Sequence, residues 1–127
     1  MNIVNNMENT NQYPEPLSLE ERLISSEKLL KKYPNKIPII CTKSELSKSD
    51  IPTLKKNKFL VSKNLTLGQF LNEIRNQIKL PSEKALFVFV NNQIIPPTSS
   101  IIQKLYDDFK SEDNFLYMTY TSESTFG

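Results

Sequence analysis

The chain has 127 residues and a mass of 14.7 kDa, enough for one domain with a tail and too little for a second catalytic domain, since compact domains cluster near ~100–150 residues. Its 38% apolar and 24% charged residues lie close to globular averages, so a packed core is expected rather than a disordered chain. There is no His, no Trp, one Cys (Cys41) and two Gly. Those absences exclude His-dependent triads and dyads, His-ligated metals, both Gly-rich phosphate loops and any internal disulfide.

The net charge of +2 conceals an asymmetry. Residues 1–63 carry eleven Lys or Arg against seven Asp or Glu, and residues 64–127 carry five against seven. An excess this small suits an acidic partner or an anionic membrane surface on the N-terminal side and does not indicate nucleic acid. No apolar run approaches the ~18–20 residues of a membrane span, and the opening MNIVNNMENTNQ lacks the basic and apolar regions of a signal peptide. Asn2 at the second position excludes N-myristoylation, and a cytoplasmic location is expected.

In chain order, residues 1–16 are Asn-rich, end at Pro14 and Pro16, and read as a mobile arm, although Ile3, Val4 and Met7 offer one apolar turn that docks on the domain or on lipid. Ser18 and Glu21 have capping-box spacing ahead of Leu19, Leu23, Ile24, Leu29 and Leu30, which predicts a helix over 19–32. Pro34 blocks its extension. The run 37–42 (IPIICT) reads as a strand whose Pro38 suits a strand start or an edge. A Ser- and Lys-rich connection, 43–57, leads to Phe59, Leu60 and Val61 as the second strand of a hairpin. Thr66 and Gln69 repeat the capping-box spacing, and Leu67, Phe70, Leu71, Ile74 and Ile78 share one face of a helix ending near Lys79. The run ALFVFV (85–90) is expected as a central strand covered on both faces. Asn91 and Asn92 turn the chain into a brief strand at Ile94 and Ile95, which Pro96 and Pro97 stop. Ser99 or Ser100 is expected to cap a third helix bearing Ile101, Ile102, Leu105, Tyr106 and Phe109, and 115–120 is the last strand. A hairpin, a helix across it and later strands returning beside the first make an α+β, ubiquitin-like β-grasp with an N-terminal helical extension. The divisions are an arm (1–16), a ubiquitin-like domain (17–120) and a flexible C-terminal conjugation tail (121–127).

Six segments then carry a specific likeness: KKYPNKIPIIC (31–41), KFLV (58–61), LTLGQF (65–70), ALFVFVNN (85–92), PPTS (96–99) and EDNFLYMTYTSESTFG (112–127). Together, from about residue 19 to 127, the chain resembles the ubiquitin-like autophagy modifiers of the GABARAP and light-chain-three family. The resemblance implies a non-enzymatic protein that a processing cysteine protease trims after an aromatic-Gly pair, here Phe126 and Gly127. Activating and conjugating enzymes then join the glycine carboxylate to phosphatidylethanolamine on autophagosomal membranes, with delivery to the vacuole or lysosome. No cofactor is implied beyond that covalent lipid. Gly127 is the last residue of the sequence, as expected of a processed form or of a gene that ends at the glycine. A residue without Cβ threads a narrow enzyme channel with the least conflict, and the polar 121–125 stretch suits a tether.

The resemblance also implies recognition of receptors and adaptors through short peptides with an aromatic residue followed by an aliphatic one in an aromatic-x-x-aliphatic motif, added to the edge of the 58–61 strand. By match to family positions, Leu29, Pro38, Ile40, Lys58, Leu60 and Phe115 would shape the aromatic pocket, and Phe59, Val61, Leu65 and Phe70 the aliphatic one. Phe115 would also assist protease or conjugation recognition. On pattern alone these apolar residues read as ordinary core. Lys58 and Lys56 would pair with acids flanking the peptide motif, and Lys36 and Arg75 match other basic family positions. Departures from the family pattern are Glu73 at a usually apolar site, Ser62 in place of proline, Gln77 in place of a basic residue and Ile95 as an insertion. A carboxylate at the rim of the aliphatic pocket would disfavour acidic peptides there.

Two other readings compete. An unconjugated adaptor would use the same pockets without the terminal chemistry. An enzyme would need Cys41 as nucleophile without any His, in a strand that favours a buried, inert thiol. The acid pairs Asp107-Asp108 and Glu112-Asp113 are expected to be solvated and lack the spacing of a calcium loop.

Overall fold

The computed structural model describes residues 3–4, 17–45, 51–91 and 94–122. Helix α1 (Leu19–Lys32) begins at a reciprocal cap: the Glu21 N–H donates to Ser18 Oγ at 3.1 Å, and the Ser18 N–H donates to Glu21 Oε1 at 3.1 Å. Two of the four orphan donors of the helix start are thereby satisfied. Helix α2 (Leu67–Gln77) repeats the device, with the Gln69 N–H on Thr66 Oγ1 at 3.2 Å and the Thr66 N–H on Gln69 Oε1 at 2.9 Å.

Among the described residues five strands, β1 (Ile3–Val4), β2 (Lys36–Lys43), β3 (Lys58–Ser62), β4 (Phe87–Val90) and β5 (Leu116–Thr121), form one mixed sheet in the order β1-β3-β2-β5-β4. The β2/β3 hairpin is antiparallel, β5 lies parallel to β2, and β4 returns antiparallel to β5. This is the β-grasp arrangement expected from the order of elements. Alternation along the strands divides the apolar residues between two faces. Ile37, Ile39, Cys41, Phe59, Val61, Leu116, Met118 and Tyr120 enter the main core, which α2 covers with Phe70 and Ile74 and α3 (Ile102–Phe109) with Ile102 and Leu105. Leu60, Ile40 and Tyr117 face the other way and meet Leu29 and Tyr33, at the C-terminal end of α1 and just beyond it.

Four local expectations are corrected. The apolar run at 85–90 supplies β4, which is an edge strand and not a central one; uniform apolarity reports burial on both faces, as at Val88 and Val90 on one and Phe89 on the other, and not the number of strand neighbours. Its outer side is partly closed by Ile94, which exchanges backbone hydrogen bonds with Val90 at 2.7 and 3.1 Å. Pro38 lies inside β2, between two neighbours, rather than at an edge. The Cys41 N–H donates to Asn57 at 2.8 Å, so odd-numbered donors of β2 point to β3 and the missing donor of Pro38 falls on the β5 side. Pairing there begins one residue later, with Ile39 opposite Leu116. Helix α3 has no side-chain cap from Ser99 or Ser100: its N-cap is Ile101, and the N–H groups of Ile102 and Gln103 donate to the carbonyls of Leu65 and Lys63 at 2.8 and 3.0 Å. A neighbouring loop thus supplies the acceptors that a hydroxyl was expected to provide. Finally, the 43–57 connection is not merely polar, because Ile51 and Leu54 enter the core. The Tyr120 hydroxyl fastens it by donating to Pro52 O and accepting from the Leu54 N–H, both at 2.9 Å, and burial pushes that phenol up to about 12.

Candidate functional site

Two register pairs assemble most of the residues expected around the aromatic pocket. Pro38 lies opposite Leu60 and Ile40 opposite Lys58, which puts all four on the sheet face turned towards α1. Leu60 and Phe115 are buried there as a small cluster with Leu29, Ile40, Tyr33 and Tyr117 packed against them. Tyr33 and Tyr117 are additions to the sequence reading. The signal was present: Tyr117 stands two residues beyond Phe115 as the strand begins, and Tyr33 stands four beyond Leu29 at the helix end. The Phe115 and Tyr117 rings meet edge to face with centroids 6.5 Å apart, and Lys58 Nζ lies 5.5 Å from the Phe115 ring centroid. Partial burial pulls the Lys58 ammonium below its ordinary pKa, while the charge of Asp113 acts in the opposite direction.

Asp113 is the anchor of this face. The sequence pattern points to a solvated acid, yet the residue is only 2% exposed. Its carboxylate accepts from Arg22 Nε at 2.9 Å, from the Phe115 N–H at 3.0 Å and from the Tyr117 hydroxyl. Arg22 in turn donates to the carbonyl of Leu17 at 2.6 Å. The network joins the start of α1 to the turn before β5, and so fixes the two walls of the aromatic cluster relative to each other. Its distance in sequence, 91 positions between Arg22 and Asp113, explains why spacing alone does not disclose it. The other acids behave as expected of surface groups: Asp107 accepts from Gln103 and Asp108 from Lys104, each one helical turn away.

The residues assigned to the aliphatic pocket are placed differently. Phe59, Val61 and Phe70 are fully buried in the main core, with the Phe59 and Phe70 rings 5.5 Å apart and nearly perpendicular. Leu65 is half-buried at the margin of that core. Glu73 is also half-buried and accepts from Gln77 Nε2 at 3.2 Å, so the two departures from the family pattern satisfy one another on α2. Ser62 ends β3 opposite Lys36, and Lys56 is exposed. Arg75 holds the backbone together after α2, where its Nη1 donates to the carbonyls of Pro81 and Lys84 at 2.9 and 2.7 Å and closes the turn.

Cys41 is wholly buried, and desolvation pushes its thiol up, away from the thiolate that nucleophilic chemistry requires. Among the described residues there is no cluster of three or more His, Cys, Asp or Glu suited to a metal ion, and no helix long and apolar enough to cross a membrane. Phe126 and Gly127 lie outside the described residues. Thr121, the first residue assigned to the tail, is the last of β5, buried and paired with Phe87. Of the arm, Ile3 and Val4 are described, as an extended strand on β3 rather than a helical turn; Met7 lies outside the described residues.

The family model for "Autophagy protein Atg8 ubiquitin like" matches residues 21–127. Autophagy-related protein 8 of Schizosaccharomyces pombe is 47% identical over 116 residues, covering 91% of this chain and 93% of its own. The crystal structure of Trypanosoma brucei ATG8 superposes with a TM-score of 0.79 at 37% identity, covering 96% of this chain and 99% of that one. Plasmodium falciparum Atg8, solved in complex with a Plasmodium falciparum Atg3 peptide, gives a TM-score of 0.75 at 36% identity, with 85% of this chain and 93% of that one covered. This chain belongs to the Atg8 ubiquitin-like family, and is accordingly a ubiquitin-like modifier of autophagy rather than an enzyme.

Proposed function

We propose that this chain is joined through Gly127 to phosphatidylethanolamine and carries a peptide-binding face onto autophagosomal membranes. A processing cysteine protease acting at Phe126 and Gly127, and activating and conjugating enzymes, are its partners for that chemistry. The Plasmodium relative bound to an Atg3 peptide supports peptide-borne contact with such an enzyme. On this reading the protein is cytoplasmic until lipidated, and membrane-bound afterwards.

The observation that carries the peptide-binding half is the pairing of β3 with a half-buried aromatic cluster. A short peptide lying along β3 gains backbone hydrogen bonds that are indifferent to its sequence, and its side chains are selected by what flanks the strand. Half-buried Leu29, Ile40, Tyr33 and Tyr117 present apolar and aromatic surface for an aromatic side chain over a buried floor of Pro38, Leu60 and Phe115, and Lys58 supplies a cation for acidic flanks. For the aliphatic side chain, Leu65 is the accessible member, while Phe59, Val61 and Phe70 act as a floor that shapes its pocket from within the core. Glu73, which matches a family position near the aliphatic pocket, would disfavour acidic peptides there.

The test is titration of the labelled protein with an acidic aromatic-x-x-aliphatic peptide, followed by amide chemical shifts. Shifts should concentrate on 58–62 and around Leu29 and Phe115, and Leu60→Ala should weaken binding by about tenfold, as for removal of a buried contact worth ~1.4 kcal/mol. Shifts confined to another surface, with Leu60→Ala binding as tightly as the parent, would refute it.

A further inference from the structure

The edge that such a peptide requires is already paired. β1 lies antiparallel to β3 on the side away from β2, with Ile3 opposite Val61 and Val4 opposite Leu60. Strand edges hold a finite row of backbone donors and acceptors, and a group bonded to one strand is not open to a second. Resting on the reading of β3 as the docking edge, we propose that the N-terminal strand is a built-in competitor that occupies this edge until a peptide ligand displaces it.

The register falls where competition is unavoidable. Leu60 and Val61 lie in the middle of the five-residue β3, so a peptide that spans both pockets has to cross them. The sequence of the segment also suits a lock that yields. Ile3 and Val4 form its adjacent pair of β-branched aliphatic residues, a strong strand signal, while Asn2, Asn5 and Asn6 on either side have poor strand propensity. Among the described residues the pairing spans two. No aromatic residue occurs before Tyr13, so β1 offers backbone pairing without the aromatic anchor of a true ligand. Attachment compensates for this weakness: residues 5–16 reach at most about 40 Å when extended, which keeps β1 near β3 at an effective concentration on the order of millimolar. A weakly paired but tethered strand lowers the apparent affinity of every ligand by the fraction of time the edge is free. The device raises the threshold for binding and leaves the choice among ligands to the pockets.

The experiment uses the full chain and one fluorescent acidic aromatic-x-x-aliphatic peptide. Ile3→Pro with Val4→Pro removes both backbone donors of β1. This double variant should bind the peptide about fivefold more tightly than the parent, and amide exchange within 58–62 should accelerate in the absence of peptide. A second variant, Ile3→Gly with Val4→Gly, should move both readouts in the same direction by less. Equal affinities for parent and both variants, with shifts still on 58–62, would overturn the competitor while leaving the docking edge intact. Binding away from β3 in all three proteins would overturn the docking reading itself and this inference with it. A parent affinity that weakens as the protein concentration rises would assign β1 to a second copy, and would equally overturn the internal lock.

Discussion

Gly127→Ala is expected to eliminate the membrane-bound, faster-migrating form of the protein in cells while leaving its affinity for aromatic-x-x-aliphatic peptides unchanged. On the proposed reading, the terminal carboxylate enters an activating enzyme, becomes a thioester and is presented to an amine, steps that favour an end group with the least bulk. A methyl group at the last position adds bulk at the reacting carbon's neighbour and removes the conformations open only to glycine. None of the side chains of the β3 face is altered, so binding and conjugation should separate cleanly. Membrane fractionation and gel mobility of the two proteins decide the matter. A variant that still partitions with membranes as a faster-migrating species would contradict conjugation through Gly127, and a parent that never forms that species would favour the unconjugated adaptor.

Asp113→Ala is expected to cost about 3 kcal/mol of stability, because it strands three donors at once. The Phe115 N–H and the Tyr117 hydroxyl lose their acceptor beside the aromatic cluster, and Arg22 loses its carboxylate partner. The Arg22 side chain is 33% exposed, so water recovers part of its loss, which sets the total at the low end for a broken buried pair. With a urea slope of about 1.5 kcal/mol/M, the unfolding midpoint should fall by about 2 M. Asp113→Asn keeps the shape and one acceptor and should lie between the two. Equal midpoints for parent and Asp113→Ala would show that the network carries no stability.

The same substitution has an electrostatic signature. Asp113 raises the Lys58 pKa against the effect of burial, so its removal should lower that pKa further. A lysine whose folded pKa lies below its unfolded value binds fewer protons in the folded state between the two. The unfolded chain then holds more protons, and stability rises with pH across that alkaline window. Affinity for an acidic peptide should fall in the same window, as Lys58 loses its charge, and should fall at lower pH in Asp113→Ala.

What the sequence disclosed was local, and what it withheld depended on distance. Both capping boxes were visible because Ser18 and Glu21, and Thr66 and Gln69, are three residues apart and satisfy one another. The hairpin and α2 followed from periodicity. The cap of α3 was missed because its acceptors, Leu65 and Lys63, lie some 37–40 positions away, and a backbone carbonyl leaves no mark in side-chain pattern. The edge position of β4 was missed for a related reason: Val88 and Val90 are as buried as any central residue. Asp113 looked like one of several surface acids until the fold brought Arg22 and Tyr117 to it. The Asn-rich start concealed β1, since two β-branched residues are too few to stand out without the edge they pair with.

The most direct measurement of the central claim is intact-mass analysis of the protein recovered from membranes of cells forming autophagosomes. The account predicts a species heavier by phosphatidylethanolamine, with the added mass mapping to Gly127. A membrane fraction in which the Gly127 carboxylate is free in every molecule would contradict it.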